Sequence, residues 1–417
     1  MTESSAAPAK GLLGSSALLA LGLGVSQVLA YALNVVGARV LGPAQYGALS
    51  ALLSLVVIGN VVSLAVQAVT ARRVSVGEDP RRTTSMGVAA GLTITLIGLA
   101  LVPVLAALLH LDVLALVCVA LTLLPLTLTG WSLGAAQGAQ RFGVLAGMYA
   151  VSAGLRIGAG LVAVVVWESV TATAAATLVG AAVGWVAVQL MAREPWPVVA
   201  RPARAASWET VHAGVALLAM FTLTSVDVLL ARGLLAGDVA GQYAAGAILV
   251  KIAFWLPQAV VIAAFPRLSS GEAGVLRRAV VLMAAVGALG VGLAALLGPV
   301  VVPAVLGHEY TTAAGYAGVF VAGGVVQSVA YLMVYDRLAA EDRAAALVVW
   351  GAVALLLVLA ATVGRTSAVA LAWCVVAAAG ALVAASAVLQ ARRSPTRGQP
   401  AEPTLGSGHG PGVNSGA

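Results

Sequence analysis

Charge is scarce in this chain: only 9% of its 417 residues are Asp, Glu, Lys or Arg. A soluble domain carries about 25%, so the composition excludes a soluble domain with a large core. Cysteine is equally sparse. Cys118 and Cys374 each sit inside an apolar run, which reads as two small core residues and not as a disulfide framework or a metal site. The four histidines are scattered, and there is no Walker sequence, no nucleophile beside a base and no cluster with metal-ligand spacing. These absences argue against an enzyme and leave no cofactor or metal to propose. The apolar runs are continuous and do not alternate with a period of two, which excludes a β-barrel.

Hydrophobic residues make up 61% of the chain. Apolar runs of 18 or more residues follow one another along nearly the whole length, the pattern of an all-α polytopic membrane protein. The expected transmembrane helices are 11–36, 47–70, 86–109, 112–133, 144–166 and 170–191, then 211–235, 240–265, 276–300, 312–335, 343–363 and 367–390. Ala30-Tyr31-Ala32 resembles a signal-peptide cleavage site, but the run around it is too long for an h-region, so 11–36 is read as the first span. The expected organisation is a leader at 1–10, a six-helix lobe at 11–192, a Pro- and Arg-rich linker at 193–210, a second six-helix lobe at 211–390 and a tail at 391–417. The tail is rich in Pro, Gly and Ser from Ser394 onward and is expected to be disordered. No segment outside the membrane is long enough for a further domain.

The net charge of +7 does not point to nucleic acid, because the bases form short clusters between apolar runs. With the N-terminus inside, 17 of the 22 Lys and Arg fall on the cytoplasmic side. Only Arg39, Arg232 and Arg365 fall on the outer side. This positive-inside bias places both termini in the cytoplasm.

Residues 227–268 carry an internal repeat. Asn34 aligns with Asp227 and Arg39 with Arg232, both 193 positions apart. After a short insertion, Gln45-Tyr46 aligns with Gln242-Tyr243 at a spacing of 197. Such a repeat in a membrane protein implies two related halves facing a central cavity.

Two bases lie near the middle of expected spans, Arg156 in the fifth helix and Lys251 in the eighth. A base at that depth costs about 3 kcal/mol unless it meets water or a partner. One reading is a cationic cavity between the lobes that binds an anionic substrate. The other is structural: Lys251 pairs with Asp227 or snorkels, and Arg156 caps a backbone break. Asp227 is a candidate for ion coupling, or a neutraliser of a nearby base. Arg39 and Arg232 are further candidates for substrate contact, with the alternative that they serve helix C-termini. Gln67 and Gln258 would line the cavity or bond across helices. Glycine pairs at 143/147, 154/158 and 180/184 suit close helix packing, and prolines at 103, 125, 257 and 303 suit kinks.

The stretch ARVLGPAQYGALSALLSL after the first helix resembles the opening signature of bacterial polysaccharide-biosynthesis flippases. These belong to the multidrug/oligosaccharidyl-lipid/polysaccharide flippase (MOP) superfamily. DVLLARGLLAGDVAGQYAAGAILVKIAFWLPQAVVIAAFPRLS resembles the matching stretch of their second lobe. The likeness covers these two motifs and the two-lobe plan. It implies a transporter that moves a polyprenyl-linked oligosaccharide, a cell-envelope precursor, from the inner to the outer leaflet by alternating access. Basic cavity residues would meet the anionic head while the lipid tail stays in the bilayer. Lys251 lies inside the second motif; Arg156 lies outside both and rests on the charge argument alone. The lipid II flippase branch usually has more helices than the twelve expected here, which argues against that branch.

The implied setting is the cell membrane, with glycosyltransferases or a polymerase as further partners and no nucleic acid. Two alternatives stand beside it. A cation-coupled multidrug exporter of the same superfamily would carry an acid in its first lobe, yet the first two helices contain no Asp or Glu. A non-transporting scaffold for glycosyltransferases would tolerate neutral residues at 156 and 251.

Overall fold

The computed structural model describes residues 7–194, 196, 204–255, 275–339 and 344–391. Every regular element among them is helical. In chain order these are α1 (Ala7–Gly59), α2 (Val61–Ser75), α3 (Thr84–Leu109), α4 (Val113–Gly138), α5 (Phe142–Trp167), α6 (Val170–Ala192) and α7 (Arg204–Leu223). They continue with α8 (Val226–Leu234), α9 (Gly237–Trp255), α10 (Val275–Leu306), α11 (Thr311–Gly315), α12 (Ala317–Ala339), α13 (Ala344–Thr362) and α14 (Ala368–Ala391). Two short 3₁₀ turns, Pro80–Arg82 and Gly364–Thr366, join them. The 193–210 linker is described only in part. The segment holding Gln258, Pro257 and Phe265-Pro266-Arg267, and the 392–417 tail, lie outside the described residues.

Helix α1 is two arms folded back on each other. Gly42 interrupts it with φ 68° and ψ 171°, and Pro43 follows. A straight helix would hold residues 34 and 46 about 18 Å apart. Instead the Tyr46 hydroxyl donates to Asn34 Oδ1 at 3.1 Å, and Leu33 and Leu49 share a core with Leu29 and Leu53. The first two expected spans are therefore the arms of one hairpin, the second running on into α2. The turn works because Gly42 alone takes the left-handed backbone.

By length and apolarity, eight helices among the described residues could cross a membrane, nine if α7 and α8 form one span bent by 45°. This is fewer than the twelve expected, for local reasons. The hairpin counts once, the Ala346–Thr362 stretch is short, and α9 is described only as far as Trp255. The outward faces of α3 and α10 carry exposed Leu96, Leu101, Leu108, Leu289, Leu296 and Val300, as lipid-facing helices should.

Close helix packing is found at three of the six glycines expected, Gly147, Gly180 and Gly184, and on α4 as well. Gly130, Gly134 and Gly138 of α4 lie along α2, where an added Cβ would come within 2.5 Å of the Ser63, Gln67 and Ala71 carbonyl oxygens. Gly180 of α6 meets the Leu155 carbonyl at 2.4 Å in the same sense, whereas Gly143, Gly154 and Gly158 have nothing within 4 Å. Spacing four identifies a helix face but not whether a neighbour covers it. Gly134→Ala is accordingly expected to lower the melting temperature of the purified protein, at about 1–3 kcal/mol of overpacking. Gly154→Ala should leave it unchanged or raise it slightly through helix propensity, by up to about 1 kcal/mol.

Candidate functional site

A cavity of about 370 Å³ lies where the first and second halves of the chain meet. The α1 hairpin forms one wall with Ser26, Tyr31 and Asn34 on its first arm and Leu53 and Val56 on its second. Asn60, at the break before α2, and Arg156 of α5 complete that side. The other wall comes from Thr224 and Ser225 at the α7–α8 bend, Lys251 and Phe254 of α9, and Gln327 and Tyr331 of α12. Interrupted helices at a cavity are expected where backbone polar groups must reach a ligand at membrane depth.

Arg156 and Lys251, about a hundred residues apart in sequence, thus share one cavity, one from each half. Among the described residues no carboxylate lines it, and neither base belongs to an ion pair. The Arg156 Nε is buried without a hydrogen-bond partner, so Arg156 does not cap a backbone break.

Asp227 sits behind this wall. It is 2% exposed, and its Oδ2 accepts from the Tyr243 hydroxyl at 2.8 Å. Its Oδ1 is buried without a partner. Lys251 attracts it through space but forms no ion pair with it. The sequence repeat recurs in this contact: the Tyr243–Asp227 bond in the second half is the counterpart of Tyr46–Asn34 in the first. Removing either hydroxyl should have unequal effects. Tyr243→Phe removes the hydroxyl donor from a buried carboxylate and is expected to cost about 1–3 kcal/mol. Tyr46→Phe should cost less, because Asn34 keeps its own bond to the Ala30 carbonyl. Thermal unfolding of the two variants measures the difference.

Arg39 and Arg232 lie away from the cavity wall, and each donates to backbone carbonyls. Arg39 Nε donates to the Val305 carbonyl at 2.6 Å and its Nη2 to that of Ala304, in the last turn of α10. Arg232 Nε donates to the Leu109 carbonyl at 3.1 Å and its Nη2 to His110 at 3.0 Å, at the end of α3. Each arginine caps a helix C-terminus of the opposite half, where the free carbonyls favour a cation. The same end is closed further by Tyr310, which donates to the Ala38 carbonyl at 2.8 Å. Gly241 also packs there so tightly that an added Cβ would overlap the Pro43 oxygen at 1.9 Å.

Gln67 does not reach the cavity. It donates to Gln137 at 2.9 Å and Tyr149 at 2.7 Å, bonding α2 to α4 and α5. Gln258 lies outside the described residues. Sequence reasoning missed Gln327, Tyr331, Asn60 and Tyr31. The available signal was that Gln327 is an isolated amide within an apolar span.

The fold and the site together define an α-helical, multi-pass membrane protein with a cavity that, among the described residues, is lined by two bases and no acid. Residues 12–272 match the model of the family described as "Polysaccharide biosynthesis protein". That is more than half of the chain, and the chain belongs to this family. Among curated proteins, none matches it in sequence.

Solved structures share its fold. The lipid II flippase MurJ in an inward closed conformation superposes with a TM-score of 0.69 at 12% identity, over 90% of this chain and 87% of that one. An inward-facing multidrug resistance MATE family transporter of the MOP superfamily gives 0.66 at 12% identity, over 91% and 99%. A MOP superfamily transporter from Pyrococcus furiosus, described as having a binding pocket of reverse polarity, gives 0.57 at 12% identity, over 91% and 95%.

Proposed function

We propose that the protein flips a polyprenyl-linked oligosaccharide across the cell membrane by alternating access, holding the anionic head between Arg156 and Lys251. The observation that carries this reading is the pair of bases without an ion-pair partner, one from each half, on a cavity wall whose described residues include no carboxylate. An anion between them supplies the direct ion-pair partner that neither base has, and it draws on both halves at once. A cationic drug would meet repulsion there.

Size supports a head group and not a whole lipid. At about 370 Å³ the cavity is at the small end of ligand pockets, which run from about 300 to 1,000 Å³. Gln27 lines the cavity yet is exposed, and Val28 and Ile252, which follow the lining residues Gln27 and Lys251 in the chain, are exposed as well. A polyprenyl tail can leave through this side into the bilayer.

Six-helix lobes at 11–192 and 211–390, linked by 193–210, would rock about the site. With both termini in the cytoplasm, as the charge bias favours, the Gly42 end would be outermost and the arginine caps would form an outer seal. Asp227, next to Lys251 and short of one partner, is the position through which an ion or proton gradient would act. Enzymes that build and polymerise the sugar are the partners this role requires.

Leaflet-resolved labelling of lipid-linked oligosaccharide tests the reading. Cells would carry the wild type, a deletion, or Arg156→Ala with Lys251→Ala. The expected result is that the deletion and the double variant both trap the lipid on the inner leaflet at unchanged expression. Trapping in the deletion alone would keep the flippase and discard the site. Normal outward movement in the deletion, with no redundant flippase, would sink the proposal in favour of drug export or scaffolding.

A further inference from the structure

We propose that Gln327 reads the uncharged sugar portion of the head group, while Arg156 and Lys251 hold the phosphate. This rests on the flippase reading above and assigns a division of labour within the same cavity. Gln327 is 4% exposed and lines the cavity. Its Nε2 is buried with no hydrogen-bond partner, and among the described residues neither end of the amide is bonded to protein. Buried amides in native proteins are nearly always paired, so an unpaired one facing a cavity indicates a missing partner of complementary chemistry.

That chemistry is narrower than "polar". An amide offers two N–H donors and a carbonyl acceptor. A phosphate oxygen can use only the donors and would leave the acceptor unpaired. A sugar hydroxyl or acetamido group both donates and accepts, and it satisfies either end of the side chain whichever way the amide is turned. The position is also held firmly. One turn before Gln327, Gly324 lies against α9, where an added Cβ would be 2.2 Å from the Val250 oxygen. One turn after it, Tyr331 stacks edge-on with Phe254 at 5.2 Å. These two contacts bracket Gln327 and fix it on the stretch of α12 that faces Lys251, so its amide cannot easily turn away to find a protein partner.

The test compares two probes on the purified full-length protein: polyprenyl diphosphate, and polyprenyl diphosphate bearing N-acetylglucosamine. Each is titrated against the wild type and Gln327→Met, with the melting shift and apparent Kd as readouts. The wild type is expected to bind the sugar-bearing lipid about tenfold more tightly than the bare diphosphate. Gln327→Met, which keeps the length and removes the amide, should bring the two within about twofold while leaving the bare diphosphate unchanged. Its melting temperature without lipid should match or exceed that of the wild type, which separates lost recognition from lost folding.

A full sugar preference in Gln327→Met would overturn the inference, as would equal binding of both lipids by the wild type; neither result touches the flippase reading. Loss of both lipids in a folded Gln327→Met would overturn the division of labour. Failure of the wild type to bind either lipid would overturn the flippase reading and this inference with it.

Discussion

Arg156→Met and Lys251→Met are expected to make the protein more stable and less active at once. Each base sits in a span without an ion-pair partner, and an unpaired base at membrane depth costs about 2.5–3.5 kcal/mol on insertion scales. Methionine fills similar volume and carries no charge, so part of that cost is recovered when no substrate is bound. The bound state loses in the opposite direction. A hydrogen bond to a charged group contributes about 1.5–3 kcal/mol, which is about tenfold to a hundredfold in affinity for each residue. The double variant should therefore melt at a higher temperature and move lipid-linked sugar at least tenfold more slowly. Opposed signs are what separate a binding site from a structural pair. If the two bases supported the fold, neutralising them would lower the melting temperature, and that outcome would discard the site.

The helices, their order and the repeat could be read from the sequence because each leaves a mark in side-chain composition. The residues that share the cavity could be proposed for a similar reason. Charge inside an apolar span is rare enough to identify Arg156 and Lys251 one by one, and the repeat implied a space between halves. What could not be read was anything whose partner is backbone. Arg39 and Arg232 showed as matched residues at helix ends, but the Val305, Ala304, Leu109 and His110 carbonyls they bond have no signature in sequence. The expected glycine pairs divided for a related reason, Gly180 and Gly184 meeting the α5 backbone and Gly154 and Gly158 meeting nothing. Gly134 and Gly154 look alike along the chain, and only the neighbour, a Gln67 carbonyl in one case and nothing in the other, tells them apart. Asp227 was visible as an acid and Tyr243 as part of the repeat, yet their bond emerged only with the packing of α8 on α9.

Arg39→Ala and Arg232→Ala are expected to change which face of the membrane can reach the cavity. The two caps are reciprocal: the first half's arginine closes on α10, and the second half's on α3. Both must break if the halves part at the Gly42 end, so they act on one equilibrium between closed and open. Arg39 is largely exposed, which weakens its bond, and a cation at a helix C-terminus contributes about 0.3–1 kcal/mol at an exposed site. Each single variant should then raise the open population about twofold to fivefold, and the double variant should multiply the two effects. Ala30→Cys, on the cavity wall, reports this by its rate of reaction with a membrane-impermeant maleimide. The background is low, because Cys118 and Cys374 are both buried. Labelling from the Gly42 side should rise and labelling from the opposite side should fall, since a rocking protein opens one face by closing the other. A protein merely loosened by the lost bonds would label faster from both sides, and a rise on both faces would rule out the caps as a seal. Arg39→Lys and Arg232→Lys should fall between the wild type and alanine, because lysine keeps the charge but cannot span two carbonyls with one fork.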